Sequence, residues 1–212
     1  MILDEDGFGP EDITSLANVS RETSERIGVL IDTLEEWSSQ LNLIGRNEWR
    51  HIWRRHVFDC AQILGHIPRD AEVVDLGTGA GFPGLVVACA LSAEGIGKTH
   101  LVEKSAKKCL YLTAAIEAAK LNAIVHNQRS EEVASVSADI VTARAFAPLP
   151  RLLASSSHLF QKDTLAVLHK GQNWKEELTE AAKTWNFSSE AIPSRSGGSG
   201  VILKIWGVQR VS

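Results

Sequence analysis

Apolar residues change their spacing along this chain. Between Ser20 and about Leu43, the residues Ile27, Leu30, Ile31, Leu34 and Trp37 fall at helical intervals, which predicts an amphipathic helix. The stretch from Asn42 to Asn47 interrupts that pattern. A second helical stripe runs through Trp49, Ile52, Trp53, His56, Val57, Cys60 and Leu64 and stops near Gly65. From residue 71 the pattern turns into short apolar runs separated by longer helical ones. Strands are expected at 72–76, 99–103, 123–126, 138–143, 164–169 and 201–206, with a weaker one near 189–192. Helices are expected at 83–92, 105–121, 150–160 and 173–184. Such alternation argues for a mostly parallel sheet with helices on both faces. Residues 193–200 (Pro-Ser-Arg-Ser-Gly-Gly-Ser-Gly) read as a flexible link, and two strands joined by so short a loop pair antiparallel. Residues 1–12, acidic and holding glycines and a proline, are expected to fray.

With 212 residues and 44% apolar content, the chain can bury one core of ordinary size. The expected organisation is a helical extension over residues 1–68 and an α/β domain over 69–212, forming one compact unit. The net charge of −4 offers no global attraction for nucleic acid, but its distribution is uneven. Residues 1–40 carry ten acids against two arginines, residues 41–70 five arginines against three acids, and residues 98–129 six basic groups against two acids. Two basic stretches after an acidic start are compatible with a local face for a polyanion, and equally with ordinary solvated helix faces. The three cysteines, Cys60, Cys89 and Cys109, are far apart and in apolar contexts, which reads as buried reduced thiols in a cytoplasmic protein. Nothing resembles a metal cluster, a signal peptide or an apolar run long enough to span a membrane.

Residues 71–84, Ala-Glu-Val-Val-Asp-Leu-Gly-Thr-Gly-Ala-Gly-Phe-Pro-Gly, carry the chemistry. A buried strand ending in Asp75 and Leu76 runs into a turn containing Gly77, Gly79, Gly81 and Gly84, and a helix follows. This is the order used by α/β proteins that bind nucleotides. Residues 79–84 satisfy the dinucleotide pattern GxGxxG, but Gly77 comes before them and lengthens the turn. An adenosine-sulfonium ligand, which brings no pyrophosphate, suits the longer turn. Glu103, at the end of the next strand, can accept hydrogen bonds from both ribose hydroxyls, and it serves NAD and S-adenosylmethionine equally.

Taken together, these segments resemble the small-subunit ribosomal RNA guanine-N7 methyltransferases, the RsmG or glucose-inhibited division protein B family. Val74 to Gly84 resembles the family signature, and its Phe-Pro-Gly ending is unusual among methyltransferases at large. Trp37 with Leu41-Asn42-Leu43, Arg55-His56 with Asp59, and Leu101-Val102-Glu103 with Lys107-Lys108 match further family segments in order and spacing. So do Arg129-Ser130-Glu131-Glu132, Ala143-Arg144-Ala145-Phe146-Ala147 and Leu168-His169-Lys170-Gly171. The resemblance covers about residues 25–206. It departs from the pattern at Ile44, where the family usually has threonine, at Lys104, which displaces the usual serine to Ser105, and at the inserted His169.

The resemblance implies a class I, Rossmann-like methyltransferase fold with an antiparallel C-terminal strand. It implies transfer of a methyl group from S-adenosylmethionine to N7 of a guanosine in 16S rRNA, the family target being guanosine 527 in the 530 loop. By the same resemblance the cofactor site includes Gly77, Phe82, Ser130, Glu131 and Arg144, with Glu103 as ribose partner and Asp75 and Gly79 in the glycine segment. Guanine N7 already carries a free lone pair, so positioning and desolvation suffice, and neither a catalytic triad nor a metal is expected. His56, His66 and His169 read as structural. Arg144 could assist by touching cofactor or RNA, or it could form a salt bridge to Asp75 or Glu131. N7 faces the deep, narrow major groove of A-form RNA, so the target must be unpaired or extruded. Arg46, Arg50, Arg54, Arg55, Lys104, Lys107, Lys108 and Lys170 are the candidates for RNA contact. Trp49 and Trp53, one helical turn apart, could pack in the core or stack on a base, with core favoured for at least one. The expected partner is 16S rRNA or the small ribosomal subunit, with the protein a monomer. The residues themselves leave open a small-molecule or protein methyltransferase, a non-enzymatic nucleotide-binding regulator and, least supported, an NAD-dependent oxidoreductase.

Overall fold

A computed structural model of the chain describes residues 2–133 and 136–211. Its frame is a seven-stranded sheet in the order β3-β2-β1-β4-β5-β7-β6. The strands are β1 (Glu72–Leu76), β2 (Lys98–Val102), β3 (Ala123–His126), β4 (Ile140–Arg144), β5 (Leu165–Lys170), β6 (Trp185–Pro193) and β7 (Val201–Arg210). The first five are parallel, and β7 runs antiparallel between β5 and β6. The apolar periodicity locates every strand, but β6 and β7 are longer than expected. Their alternation is carried by polar residues on an exposed face, which an apolar pattern does not register.

The register explains where a site can form. The order reverses between β1 and β4, the switch point at whose carboxyl edge open α/β sheets bind ligands. Leu76, Val102, Arg144 and Lys170 end their strands on that edge. Because β7 is antiparallel, Val201 starts there too, opposite Lys170. The loop of residues 194–200 is thereby delivered to the same edge as the glycine turn.

One face of the sheet is covered by α6 (Leu149–Ser156) and α7 (Trp174–Ala181), which bury Val74, Leu76, Val102 and Ala143. The other carries α3 (Asp59–Ala61), α4 (Gly84–Glu94) and α5 (Ala106–Ala119), and α2 (Arg21–Ser38) packs on α4 and α5. The apolar stripe read from the sequence, Ile27, Leu30, Ile31 and Leu34, is the buried face of α2. It joins one cluster with Leu85, Val86, Leu112 and Ala115, so the N-terminal helices share a core with the sheet's own helices. Arg26 reaches across to donate to the carbonyls of Ala119 and Lys120 at 2.7 and 2.6 Å. It places a cation where the dipole of α5 is negative.

The N-terminal region departs from its expected form in two ways. Residues 2–12 are not frayed. Asp4 is buried and its carboxylate accepts from the backbone N–H groups of Trp53 and Arg54, both at 2.9 Å. Phe8 packs on Phe58 with Arg54 over its ring, and α1 (Pro10–Leu16) follows. An acidic segment with few apolar residues looks disordered until a partner with orphan N–H donors is in place. Second, the stripe from Trp49 to Leu64 is not one α-helix. It is a 3₁₀ turn (Arg46–His51), a π-helical turn (Ile52–Phe58), α3, and a 3₁₀ turn (Leu64–His66). The wider winding still buries Ile52, Trp53, Val57 and Cys60, so the stripe alone does not reveal it. Trp53 is a core residue, and its indole N–H donates to the carbonyl of Ile2.

Cys60, Cys89 and Cys109 are free and buried, and burial pushes their thiols well above the usual range. Among the described residues, no helix is long and apolar enough to cross a membrane.

Candidate active site

The glycine turn owes its shape to a buried carboxylate beneath it. Asp75 is fully buried; it accepts from Gly84 N–H at 3.1 Å and from the Thr142 hydroxyl at 2.8 Å. Burial pushes its carboxyl up to about 6 against the pull of these bonds. A Cβ on Gly84 would lie 2.6 Å from the Asp75 carboxylate and 2.4 Å from Leu101, which is why the Phe-Pro-Gly segment ends in glycine. Gly77 has φ +63, and a Cβ there would lie 2.3 Å from the Phe146 ring. Its lack of a side chain therefore lets the turn close on Phe146, the residue two beyond Arg144.

Above the turn lies a cavity of about 1200 Å³. Its walls include Gly77, Gly79, Phe82, Glu103 and Arg144, five of the eight residues expected for a cofactor. Asp75 braces the turn from below and does not line the cavity. Ser130 and Glu131 lie outside its lining, in a 3₁₀ turn after β3, where the Ser130 hydroxyl donates to the Glu131 carboxylate. That turn follows a segment tied to Glu103: Asn127 donates to the Glu103 carbonyl at 3.1 Å.

Glu103 is largely buried, and its two carboxylate oxygens are fixed separately. Gly79 N–H donates to one at 3.1 Å and Ser105 N–H to the other at 2.8 Å. Each oxygen keeps acceptor capacity for a ligand hydroxyl. Across the cavity, Phe82 lies 5.3 Å from the His56 ring and 5.3 Å beneath the Arg144 guanidinium. Arg144 donates to His56 Nδ1 at 2.6 Å and to the Arg55 carbonyl at 3.0 Å, and sits 3.8 Å from the Asp59 carboxylate. It pairs with neither Asp75 nor Glu131. Because Nδ1 accepts, the His56 proton is on Nε2, which faces Glu48 at 3.2 Å. Burial first, then the Arg144 charge, pull the His56 pKa down to about 4. Ala145, next along, has φ +52, a strained conformation for a residue with a Cβ and one that clusters at functional sites.

The candidate RNA-contacting cations divide. Arg46, Lys104 and Lys107 are exposed; Arg55 and Lys108 line the cavity mouth. Arg50 and Arg54 pair with Glu5 and Asp6 of the N-terminal segment, and both pairs are open to solvent. Lys170 is placed differently from the others. It is buried, and its ammonium donates to the Ala147 carbonyl at 2.8 Å and to Glu177 at 2.7 Å. It joins the wall of the cavity beside Gly171.

Three groups of the site escape sequence reasoning. His56 reads as structural, yet it holds Arg144. Asp59 has no task that the sequence discloses, yet it accepts from Ser194 and Ser196 at 2.8 and 2.7 Å. Those serines belong to the segment that reads as a flexible link. The only local signal is the one-turn spacing of Arg55, His56 and Asp59.

The family model described as GidB, rRNA small subunit methyltransferase G, matches residues 23–199. The ribosomal RNA small subunit methyltransferase G of Hyphomonas neptunium is 53% identical over 193 residues, covering 91% of this chain and 92% of that protein. The protein of the same name from Paramagnetospirillum magneticum is 40% identical over 205 residues, covering 96% and 98%. Among solved structures, a mutant of MtNAS in complex with S-adenosylmethionine aligns with a TM-score of 0.59 at 12% identity, covering 97% of this chain and 86% of that one. A SAM-dependent methyltransferase from Aquifex aeolicus aligns at 0.57 and 12% identity, covering 73% and 92%. At these identities the structural likeness establishes the fold, a class I methyltransferase sheet.

Proposed function

The chain belongs to the rRNA small subunit methyltransferase G family, and from that premise we propose how its cavity works. The protein is an S-adenosylmethionine-dependent methyltransferase acting on guanine N7 in 16S rRNA. The observation that carries the reading at residue level is the sharing of one cavity by the glycine turn, the Glu103 carboxylate and Arg144. We infer that Glu103 accepts from the ribose hydroxyls of the cofactor and that Phe82 supplies an apolar wall. Gly77 and Gly79 bring backbone against its methionine part. Ser130 and Glu131, in the segment after β3, extend this half toward the adenine. The fit is chemical: a fixed carboxylate with spare acceptor capacity, beside a turn that presents backbone in place of side chains.

The cofactor supplies an electrophilic methyl group on a sulfonium. The N7 lone pair forms the new C–N bond as the C–S bond breaks, and the bond pair goes to sulfur. The products are S-adenosylhomocysteine and 7-methylguanosine, and no proton moves at N7. The residues therefore have to position and desolvate the two reactants. Arg144, held by His56 and the Arg55 carbonyl, sits between the cofactor wall and the mouth. Arg55 and Lys108 line the cavity, the exposed Arg46, Lys104 and Lys107 adjoin its lining residues Gly45, Glu103 and Lys108 in the chain, and these cations are the candidates to meet phosphates. We propose guanosine 527 of the 530 loop as the target, as in the family, with action in the cytoplasm.

The test is methyl transfer from labelled S-adenosylmethionine to 16S RNA and to small subunits lacking the modification, followed by nucleoside analysis. A 7-methylguanosine product at the proposed nucleotide is expected; its absence from both substrates would overturn the reading.

A further inference from the structure

The cavity is larger than one ligand of cofactor size requires, since such sites commonly occupy about 300–1,000 Å³. Its cofactor half lies over the ends of β1 and β2. Beyond Arg144 it continues over the ends of β4 and β5 to the loop of residues 194–200, whose Ser194, Ser196 and Gly198 line it. One residue ties the walls of this second half together. Asp59 Oδ1 accepts from both Ser194 and Ser196, its other oxygen faces Arg144, and its backbone carbonyl accepts from His169 Nε2 at 2.9 Å. Gln62, one turn on, adds a second tether by accepting from Arg195 N–H at 2.7 Å.

His169 lines this half and ties it to Asp59. It is buried, its Nε2 donates to the Asp59 carbonyl, and its Nδ1 is a buried acceptor with no partner among the described residues. Burial keeps the ring neutral. Guanine attacked at N7 keeps its N1–H and amino donors on the opposite edge, free to meet acceptors.

We propose that this second half is the acceptor-base subsite, that the loop of residues 194–200 is its outer wall, and that Asp59 is the positioning residue holding that wall against the ends of β4 and β5. The inference rests on the methyltransferase reading. Asp59 makes no chemical step; it fixes the distance between the wall and Arg144, so that an extruded guanine is clamped with N7 toward the methyl group. The serine hydroxyls, attached through a carboxylate, make charge-assisted bonds of the stronger kind.

The test compares wild type, Asp59→Ala, Asp59→Asn and the double variant Ser194→Ala/Ser196→Ala. Calorimetry gives the dissociation constant of S-adenosylhomocysteine, and steady-state kinetics gives kcat and the KM for RNA. The double variant and Asp59→Ala should lose about tenfold or more in kcat/KM for RNA, the size of one charge-assisted hydrogen bond. Cofactor affinity should stay within about twofold, a range well below the loss of any such bond. Asp59→Asn keeps the oxygen both serines donate to and should recover most of the RNA parameter. The double variant alters only surface-loop hydroxyls, so it remains informative if Asp59→Ala folds poorly. Unchanged RNA kinetics in the double variant, or equal losses in cofactor and RNA binding, would overturn the inference while wild-type methylation keeps the parent reading intact. Absence of any wild-type methylation would overturn both.

Discussion

Arg144 and His56 hold each other in one charge state. The guanidinium donates to His56 Nδ1 at 2.6 Å, so the ring must offer a lone pair there. Protonation would put two cations face to face in a half-buried site. Burial first, and then the Arg144 charge, pull the imidazole pKa down from 6.5 to about 4.

The consequence is a pH dependence of known sign. The unfolded chain binds a proton near 6.5 while the folded one refuses it until about 4. Stability from this site is complete above pH 6.5 and is lost as pH falls toward 4. Thermal unfolding across that range should show wild type losing more on acidification than His56→Gln, which has no such group. Parallel curves for the two proteins would remove the titration from His56.

Gly77→Ala should abolish cofactor binding with little loss of fold. The new Cβ meets the Phe146 ring at 2.3 Å in a backbone conformation that alanine disfavours, so the turn or the segment after β4 must move. Calorimetric titration with S-adenosylhomocysteine checks this; near-normal affinity would show that the two segments can separate without consequence.

Glu103→Gln should weaken cofactor binding by about 10- to 100-fold, the range of one hydrogen bond to a charged group. The substituted amide must also turn its NH2 toward one of two backbone donors, Gly79 N–H or Ser105 N–H. A loss confined to RNA kinetics, with the cofactor dissociation constant unchanged, would place Glu103 outside the cofactor's reach.

Two kinds of cation should separate in salt titrations. Lys104→Ala/Lys107→Ala removes exposed charges near the mouth. It should flatten the dependence of log K on log salt by roughly 0.7 for each phosphate left without its lysine. Lys170→Ala removes a buried partner of Glu177 and should lower the melting temperature while leaving the salt slope alone. Equal slopes for wild type and the double variant would move the RNA to another face.

Asp4→Ala tests the N-terminal clasp. Its carboxylate serves the Trp53 and Arg54 N–H groups as a helix cap does, so removal should cost about 1 kcal/mol, typical of caps. Denaturant unfolding measures it, and kcat should change little, because Asp4, Trp53 and Arg54 do not line the cavity. A stability equal to wild type would mean that water replaces the carboxylate.

The sequence by itself determined which main elements form and in what order. Hydrophobic period placed all seven strands and the long helices, because a buried face at period 2 or 3.6 is written locally. The glycine turn and Glu103 were legible from their places at strand ends, which a parallel sheet brings to one edge, and Arg144 entered through the family resemblance and lies on that same edge. What only the tertiary structure decided are contacts between residues far apart in sequence. Asp4 with Trp53, His56 with Arg144, and Asp59 with Ser194 and Ser196 each join polar groups across 49 to 137 positions. No local period encodes such a pairing. Lys170 shows the same limit: only folding decides that its ammonium meets Glu177 and the Ala147 carbonyl. Local patterning fixes which elements form and which edge they share, whereas the partner of a polar side chain is fixed only once desolvation on folding obliges it to find one.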